Sequence, residues 1–333
     1  MYFEDKNLME KIFEELNEFQ IKNNEQIAIA ISGGVDSIFL SICLFQYFIY
    51  KNLDINSLHA IIIDHDLRFN SLSDAKNTEI LLKNQIGYKN IAIKKWQHEK
   101  IESNIEELAR NARYDLITNY CNQHNIVKVL LGHHLDDQIE TFFMNLFRGS
   151  SLIGLGCMQK VKIFNNIHFL RPMLNTKKKE IINFMKKNNL SWFEDETNME
   201  DKFTRNRIRH IIAQFNIDEN ESNRISQTIN FIQNMNDLMY QMMNEIFHEI
   251  IEIKLNALHV DLHKFVKLHQ QQKIYLIFKI FDFFEIHDKP RFNQIEGIIS
   301  FINTQEDMKN RKIHLANASI LIKDDIIIIS KCL

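Results

Sequence analysis

Glycine is scarce in this chain, with 8 among 333 residues, against a usual share of roughly 7 per cent. Proline is scarcer, with two. A collagenous or Pro/Gly-rich low-complexity chain is excluded, and the few glycines that remain become worth locating. Cysteine is also sparse. Cys43, Cys121, Cys157 and Cys332 stand far apart with no C-x-x-C pair, which leaves no zinc, cluster or dithiol spacing and fits a reduced cytoplasm. No long apolar run occurs. The longest, near Phe39 to Tyr50, is well short of the roughly 20 residues a membrane helix needs, and no apolar segment follows a basic start, so a soluble, unprocessed protein without a membrane partner is expected. A formal charge of -3 excludes a global pull on nucleic acid; any such contact must be local.

What is present is an ordinary globular composition, 45% hydrophobic and 25% charged, with length for two modest domains and a buried core. One stretch is locally basic: residues 160 to 210 hold twelve Lys or Arg against six acids. The lysine run 177 to 179 taken alone reads equally well as a solvated helix face.

The first 150 residues alternate strand-like and helix-like patterns. "IAIAI" (27–31), "LHAIIID" (58–64), "IAIKKW" (91–96) and "KVLLGH" (128–133) are short runs rich in branched apolar residues, as strands buried on both faces should be. Between them, residues 36–50, 73–86 and 104–124 carry apolar side chains three or four apart, with Ser103 and Glu106 spaced as a capping box. Strand and helix in alternation predict an α/β fold with a doubly wound parallel sheet, whose ligands sit beyond the carboxyl ends of the strands. Residues 161–174 read as a hairpin around Asn165 and Asn166, and the next segment as a helix begun by Thr176. From about Ile217 the chain reads as mostly helical. There Ile225, Ile229, Ile232, Met235, Met239 and Met242 form a packing stripe, and two or three short antiparallel strands close the chain. We expect domains at 1–215 and 216–333.

Two of the eight glycines are adjacent, in "AIAISGGVDSIFL" (29–41). A strand leading through Ser32, Gly33, Gly34, Val35, Asp36 and Ser37 into a helix places bare amides and two hydroxyls at a helix N-terminus. Unpaired donors and the helix dipole favour an anion there, and phosphate is the obvious guest. A tight turn that needs glycine for conformation alone is the rival reading. The stretch is neither a Walker A loop, lacking Gly-Lys-Ser/Thr, nor a dinucleotide fingerprint, lacking G-x-G-x-x-G. In "HHLDDQIET" (133–141), Asp136 or Asp137 and Glu140 are three or four apart on a helix that follows a strand end. Their carboxylates share a face and suit Mg²⁺ or the ammonium of an amine substrate. A metal hydrolase built on His133 and His134 is disfavoured, because adjacent histidines aim poorly at one metal from a strand end.

"SGGVDS" resembles the pyrophosphate loop of the N-type ATP pyrophosphatases (PP-loop enzymes), which implies AMP transfer and pyrophosphate release from ATP. Several further stretches resemble one family of that group, the tRNA(Ile)-lysidine synthetases. They are "IDHDLRFNS" (63–71), "ELARNARY" (107–114), "GHHLDDQIETFFMNLFRGSSLIGLGCM" (132–158), "RPML" with "KKKEI", and "FEDETNMEDKFTRNRIR" (193–209). They occur in the family's order over about the first 215 residues. Asp66 departs from the pattern, standing where the family usually has glycine, and the second domain is short beside longer members.

The resemblance implies a cytoplasmic ligase that forms a carbon–nitrogen bond. AMP from ATP activates C2 of the wobble cytidine in an isoleucine tRNA with a CAU anticodon, and L-lysine then displaces AMP. Its site residues carry over as Ser32, Gly33, Gly34, Val35 and Ser37 on the phosphates and Asp36 on Mg²⁺ or pyrophosphate. His133 is carried over to the α-phosphate, Asp137 or Glu140 to the lysine amine, and Arg113 and Arg205 to ligand contacts. The basic segment and the C-terminal domain would grip tRNA, and a homodimer is compatible with the resemblance. A thiolating relative would need a cysteine pair that this spacing lacks. A GMP or NAD synthetase would lack "HHLDDQIET" and "RNRIR". A nucleotide sensor without turnover would have no use for the acidic cluster.

Overall fold

The computed structural model describes residues 3, 6–66, 71–98, 105–193, 204–286, 290–303 and 312–332, with the side chains of 106 and 204–206 outside that description. Ser103 of the expected capping box lies outside the described residues, as do most of "DLRFN" and of "FEDETNMEDKFTRNRIR". By internal contacts the chain divides into two compact units, Met1–Met144 with Met158–Ser226, and Asn145–Cys157 with Gln227–Leu333.

The first unit is built on six strands, β1 (Ile27–Ile31), β2 (Leu58–Asp64), β3 (Asn90–Lys95), β4 (Lys128–Leu130), β5 (Val161–Phe164) and β6 (Ile167–Leu170), in the order β3-β2-β1-β4-β6-β5. All neighbours run parallel except the edge strand β5. Ile27 pairs with Leu58 on one side and Lys128 on the other. Asn165 and Asn166, at φ 48° and 62°, make the two-residue turn of the β5–β6 hairpin, the backbone a tight primed turn requires.

The helices of this unit are α1 (Asn7–Glu18), α2 (Val35–Tyr50), α3 (Ser71–Leu81), α4 (Ile105–Gln123), α5 (Leu135–Phe147, its last residues in the other unit), α7 (Lys178–Lys187) and α8 (Thr204–Gln214). The short α6 (Leu152–Leu155) belongs to the second unit. A wide π turn, Leu82–Ile86, prolongs α3 and stops at Gly87. The helix expected from Thr176 begins instead at Lys178, because Glu180 accepts the Lys177 amide at 2.8 Å while the Thr176 carbonyl is occupied by the Leu135 amide.

Alternation along β1 explains the layering. Ile27, Ile29 and Ile31 pack with α2 residues such as Ile38, Phe39, Ile42 and Phe48 in one core, whereas Ala28 faces Ile117, Cys121, Val129 and Phe169 in another. A strand with two apolar faces has to be covered on both. Helix α2 is apolar nearly all round and buried, as an interior helix should be. The doubly wound sheet leaves the carboxyl ends of β1, β2 and β4 side by side, and the candidate site lies there.

In the second unit α9 (Glu219–Ile250), which enters from the first, is followed by β7 (Ile251–Lys254), β8 (Ala257–Asp261), α10 (Leu262–Lys267), α11 (Gln270–Phe283), α12 (Phe292–Asn303), β9 (Lys312–Leu315), β10 (Ala318–Lys323) and β11 (Ile326–Lys331). The terminal strands are not alone: β7 and β8 join them in one antiparallel sheet, β7-β8-β11-β10-β9. Its core includes Met243, Phe247, Leu258, Val260, Leu276, Ile280, Ile295, Ile299 and Ile327. The expected stripe on α9 is partly displaced. Ile229 and Ile232 are buried, but Met235 and Met242 are 38% and 49% exposed, and Asn236 is buried between them. Its amide donates to Leu152 O at 3.0 Å and its carbonyl accepts from Tyr275 Oη, so a polar residue with two partners occupies a packing position.

Candidate active site

Beyond Ile31 the chain turns through Ser32, Gly33 and Gly34 into α2. Gly33 has φ +87°, and a Cβ there would lie 2.6 Å from Thr78 Oγ1; conformation and space both require glycine. Hydroxyls brace the turn. Ser37 Oγ donates to Gly34 O at 3.0 Å and accepts from Ser32 N at 3.2 Å, and Ser32 Oγ lies 3.3 Å from it. Val35 buries its side chain, which fixes the start of α2 and leaves the first amides of the helix without intrahelical acceptors. Gly132, after β4, sits so close that a Cβ would come 3.2 Å from Ser37 N. The end of β4 is thus seated on the phosphate-loop turn, and the Phe193 amide reaches Gly33 O at 3.0 Å.

The next two side chains differ in role. His134 is 3% exposed, with Nε2 3.6 Å from Asp36 Oδ2 and 3.5 Å from Asp137 Oδ2, and Nδ1 3.5 Å from Asp136 Oδ2. Burial opposes its charge, but hydrogen bonds to Asp136 and Asp36 and the charges of Asp137 and Asp36 push the imidazole up to about 10. The Asp137 amide lies 3.4 Å from Nδ1, a contact only a neutral ring could accept; three carboxylates outweigh one long contact, and the ring is a buried imidazolium. Burial raises the Asp136 carboxyl, but His134 and the Lys178 amide outweigh it and hold the group below its ordinary value. Sequence reasoning missed His134 as the hub, because the spacing of "HHLDD" does not show which acids fold back on it.

Asp36 has one carboxylate oxygen near His134 and Lys178 Nζ, the latter at 3.7 Å, while Oδ1 is buried with no hydrogen-bond partner. A buried orphan oxygen at a phosphate loop suits Mg²⁺, which binds through one or two carboxylates plus substrate phosphates. Among the described residues no group of three or more His, Cys, Asp or Glu is arranged to hold a metal by itself. Asp137 and Glu140 are both buried. Asp137 Oδ2 accepts the His134 amide at 3.0 Å, and Glu140 Oε1 accepts Arg209 Nε at 2.6 Å.

The remaining expected residues are spread around this centre. Arg113 Nη2 lies 3.0 Å from His65 Nε2 at the end of β2. His65 is held low, at about 4, by burial first and then by the Arg113 charge, with His98 adding and Asp64 opposing. His133 Nδ1 accepts from Arg171 Nε at 3.3 Å. The Arg205 side chain lies outside the described residues. Three residues with no expected role are built in here: Arg209, the fully buried Arg171, and Tyr114. Burial pushes the Tyr114 phenol up, but Arg171, Arg110 and Lys162 outweigh it and draw it below its ordinary value. "RNRIR", "RPML" and "ARNARY" signalled them, without showing that they would meet the acidic helix or its histidine.

Comparison with known proteins gives the family. The model of the PP-loop domain family matches residues 4–215, so the chain belongs to the PP-loop ATP-binding class. The tRNA(Ile)-lysidine synthase of Wolbachia pipientis wMel is 30% identical over 91% of this chain and 70% of its own length. That of Orientia tsutsugamushi (strain Boryong) is 34% identical over 57% and 42%, and that of a Brugia malayi Wolbachia 28% over 94% and 74%. The chain is a member of the tRNA(Ile)-lysidine synthase family. Among solved structures, the U34-tRNA thiolase NcsA of Methanococcus maripaludis superposes with TM-score 0.58 at 18% identity over 68% of this chain and 78% of that one, a likeness of fold. No helix of the described residues is long and apolar enough to cross a membrane.

Proposed function

We propose that this chain uses ATP to join L-lysine to C2 of the wobble cytidine of tRNA(Ile) with a CAU anticodon, through an adenylated cytidine, releasing AMP and pyrophosphate. The observation that carries the reading is the juxtaposition of a phosphate-accepting turn with buried carboxylates on the next strand end. Gly132 rests on the first turn of α2 and His134 reaches Asp36. The turn and the carboxylates are therefore neighbours, which supports reading them as adjoining anion and ammonium sites.

The residues divide the work by chemistry. Ser32, Gly33, Gly34, Val35 and Ser37 cradle phosphate through amides and hydroxyls, and Asp36 would hold Mg²⁺, which supplies charge neutralisation for the phosphates. His133 and Arg113 face the reacting phosphate, and Arg205 is a further ligand contact. Free lysine arrives as an ammonium, with a pKa near 10.4, and must lose a proton before it attacks. Buried Asp137 and Glu140 attract that ammonium in a poorly screened site, and one of them accepts the proton. The basic stretch, including Lys177–Lys179 and Arg207, together with the second unit, grips the tRNA backbone. The target base enters unstacked, as single-stranded targets are usually read. The four free cysteines suit a reducing cytoplasm, and a homodimer would double the tRNA surface.

The test is incorporation of labelled lysine into an isoleucine tRNA bearing CAU, with ATP and Mg²⁺, followed by mild alkali. Alkali strips lysine esterified at the tRNA end and spares lysine bonded to a base. Stable, ATP-dependent label is the expected result, lost in Asp137→Asn. Absence of stable label on a folded transcript would overturn the proposal.

A further inference from the structure

Arg171 and Tyr114 have no part in the scheme above, yet they are among the most enclosed polar groups of the first unit. Arg171 follows β6 and is 2% exposed; Tyr114, on α4, is 8% exposed. The guanidinium makes three directed bonds. Nη1 donates to Gln159 O at 2.8 Å, Nη2 to Tyr114 Oη at 3.3 Å, and Nε to His133 Nδ1 at 3.3 Å. Burying a cation is expensive, and a well-packed apolar residue of similar volume often serves a fold as well or better. A buried arginine that spends one donor on a histidine therefore invites a role for that bond.

The chemistry of the pair restricts the histidine. A guanidinium has five N–H donors, no acceptor, and does not give up its proton in a protein. Nδ1 of His133 must then present its lone pair to Arg171. The one proton of the neutral ring is left on Nε2, and which ring nitrogen carries the proton is in general set by the partner of the other. His133 also sits between two residues that touch the phosphate-loop helix: Gly132, whose Cβ would lie 3.2 Å from Ser37 N, and His134, 3.6 Å from Asp36.

We propose that Arg171 is a positioning residue which fixes His133 as the Nε2–H tautomer, so that His133 serves the reaction as a hydrogen-bond donor to an anionic oxygen and not as a base. Tyr114 holds the far side of the same guanidinium and keeps its plane aimed. The donor role rests on the activity proposed above; the tautomer does not.

The experiment uses the full chain labelled with ¹⁵N-histidine, with His133→Gln identifying the His133 signals in a long-range ¹H–¹⁵N spectrum. Expected is a neutral ring protonated at Nε2 in the wild type, giving way to mixed tautomers in Arg171→Met and retained in large part in Arg171→Lys. A wild-type ring protonated at Nδ1, or a tautomer unmoved in folded Arg171→Met, overturns the assignment. In tRNA-dependent pyrophosphate release, Arg171→Met should lower kcat about 10- to 100-fold, the usual scale for losing such an orienting partner, with KM for lysine unchanged. In a His133→Gln background the same substitution should cost little more; an equal loss in both backgrounds marks a merely structural arginine and overturns the proposal. Should Arg171→Met fail to fold, Arg171→Lys decides: it keeps a charged donor and should keep most of the Nε2–H tautomer and of kcat, and a ring protonated at Nδ1 with kcat unchanged overturns the proposal. A wild-type chain that forms no lysidine refutes the activity, while the spectrum still decides the tautomer.

Discussion

The two units have interiors of different kinds. In the first, Asp64, His134, Asp137, Glu140 and Arg171 are all buried, at or just beyond the carboxyl ends of β2, β4 and β6. In the second, the buried polar side chains among the described residues are Asn236, Lys273 and Ser319, set in a continuous apolar core. Buried charge is costly unless it is paired. Its concentration at strand ends falls on the site proposed above, and its near absence from the second unit marks a unit organised by packing.

The largest effects should dissociate along that line. Asp36→Asn is expected to lower lysine incorporation about 10²- to 10³-fold, the scale of losing one preorganised electrostatic group. Its melting temperature should fall only modestly, because His134 loses one counter-charge but keeps Asp136 and Asp137 within 3.5 Å. Leu276→Ala, at a fully buried position of the second core, should do the reverse, costing about 2–5 kcal/mol of stability while turnover at low temperature persists. Calorimetry beside a turnover assay decides, and the comparison breaks if Asp36→Asn destabilises the fold as much as Leu276→Ala does.

Glycine offers a matched pair. Gly33→Ala puts a side chain at φ +87° against Thr78 Oγ1, itself tied to Asp74 O at 2.8 Å, so the loop must shift. We expect strain of about 1–3 kcal/mol and roughly a hundredfold loss of ATP-dependent activity, as a misplacement of about 1 Å produces. Gly297 lies exposed in α12, and a Cβ added there would meet nothing within 4 Å, so Gly297→Ala should stabilise by about 0.5–1 kcal/mol.

A weaker effect shows the charged interior through pH. His65 is held at about 4 by burial and by Arg113, against an ordinary histidine near 6.5. The unfolded chain therefore takes up this proton first. The stability it contributes is complete above about pH 6.5 and is lost as pH falls toward 4. His65→Gln should flatten that part of the acid limb in denaturant titrations. An unchanged limb would show that His65 is not held neutral.

How much of this was legible in the sequence follows the range of the interactions. The strand–glycine–helix turn at Ile31–Val35 and the alternation of β1–β4 with their helices are local patterns, and the structure has them nearly where the periodicity puts them. The β7–β8 hairpin was hidden because its few apolar residues continue a long helical run, and only pairing with β11, far along the chain, makes it a strand pair. Met235 and Met242 misled for the same reason: periodicity shows that a helix has an apolar face, and Asn236 with its partners Leu152 and Tyr275 decides which residues turn inward. In the site, Asp36, Asp137 and Glu140 were visible as chemistry. That His134 gathers three of the acids, that Arg209 covers Glu140, and that Arg171 faces His133 are contacts across 38 to 69 residues of sequence in the last two cases, which no spacing rule reaches.

The smallest effect concerns Asp66, beside the charged cluster but outside it. Its φ of 52° lies in the left-handed region, which suits glycine and, less well, aspartate. Asp66 compensates locally: its amide donates to Asp64 Oδ1 at 3.0 Å and its carboxylate pairs with Lys95 at 2.8 Å. Asp66→Gly removes an exposed ion pair, which is worth little, and relieves the backbone while adding freedom to the unfolded chain. These contributions oppose one another, so the melting temperature and the KM for ATP should both stay at wild-type values in calorimetry and pyrophosphate-release assays. Lys95→Ala should behave alike. A clear rise in the KM for ATP in both variants would instead extend the working site past Asp64 to the ends of β2 and β3, and the boundary between charge kept for chemistry and charge merely solvated would have to move with it.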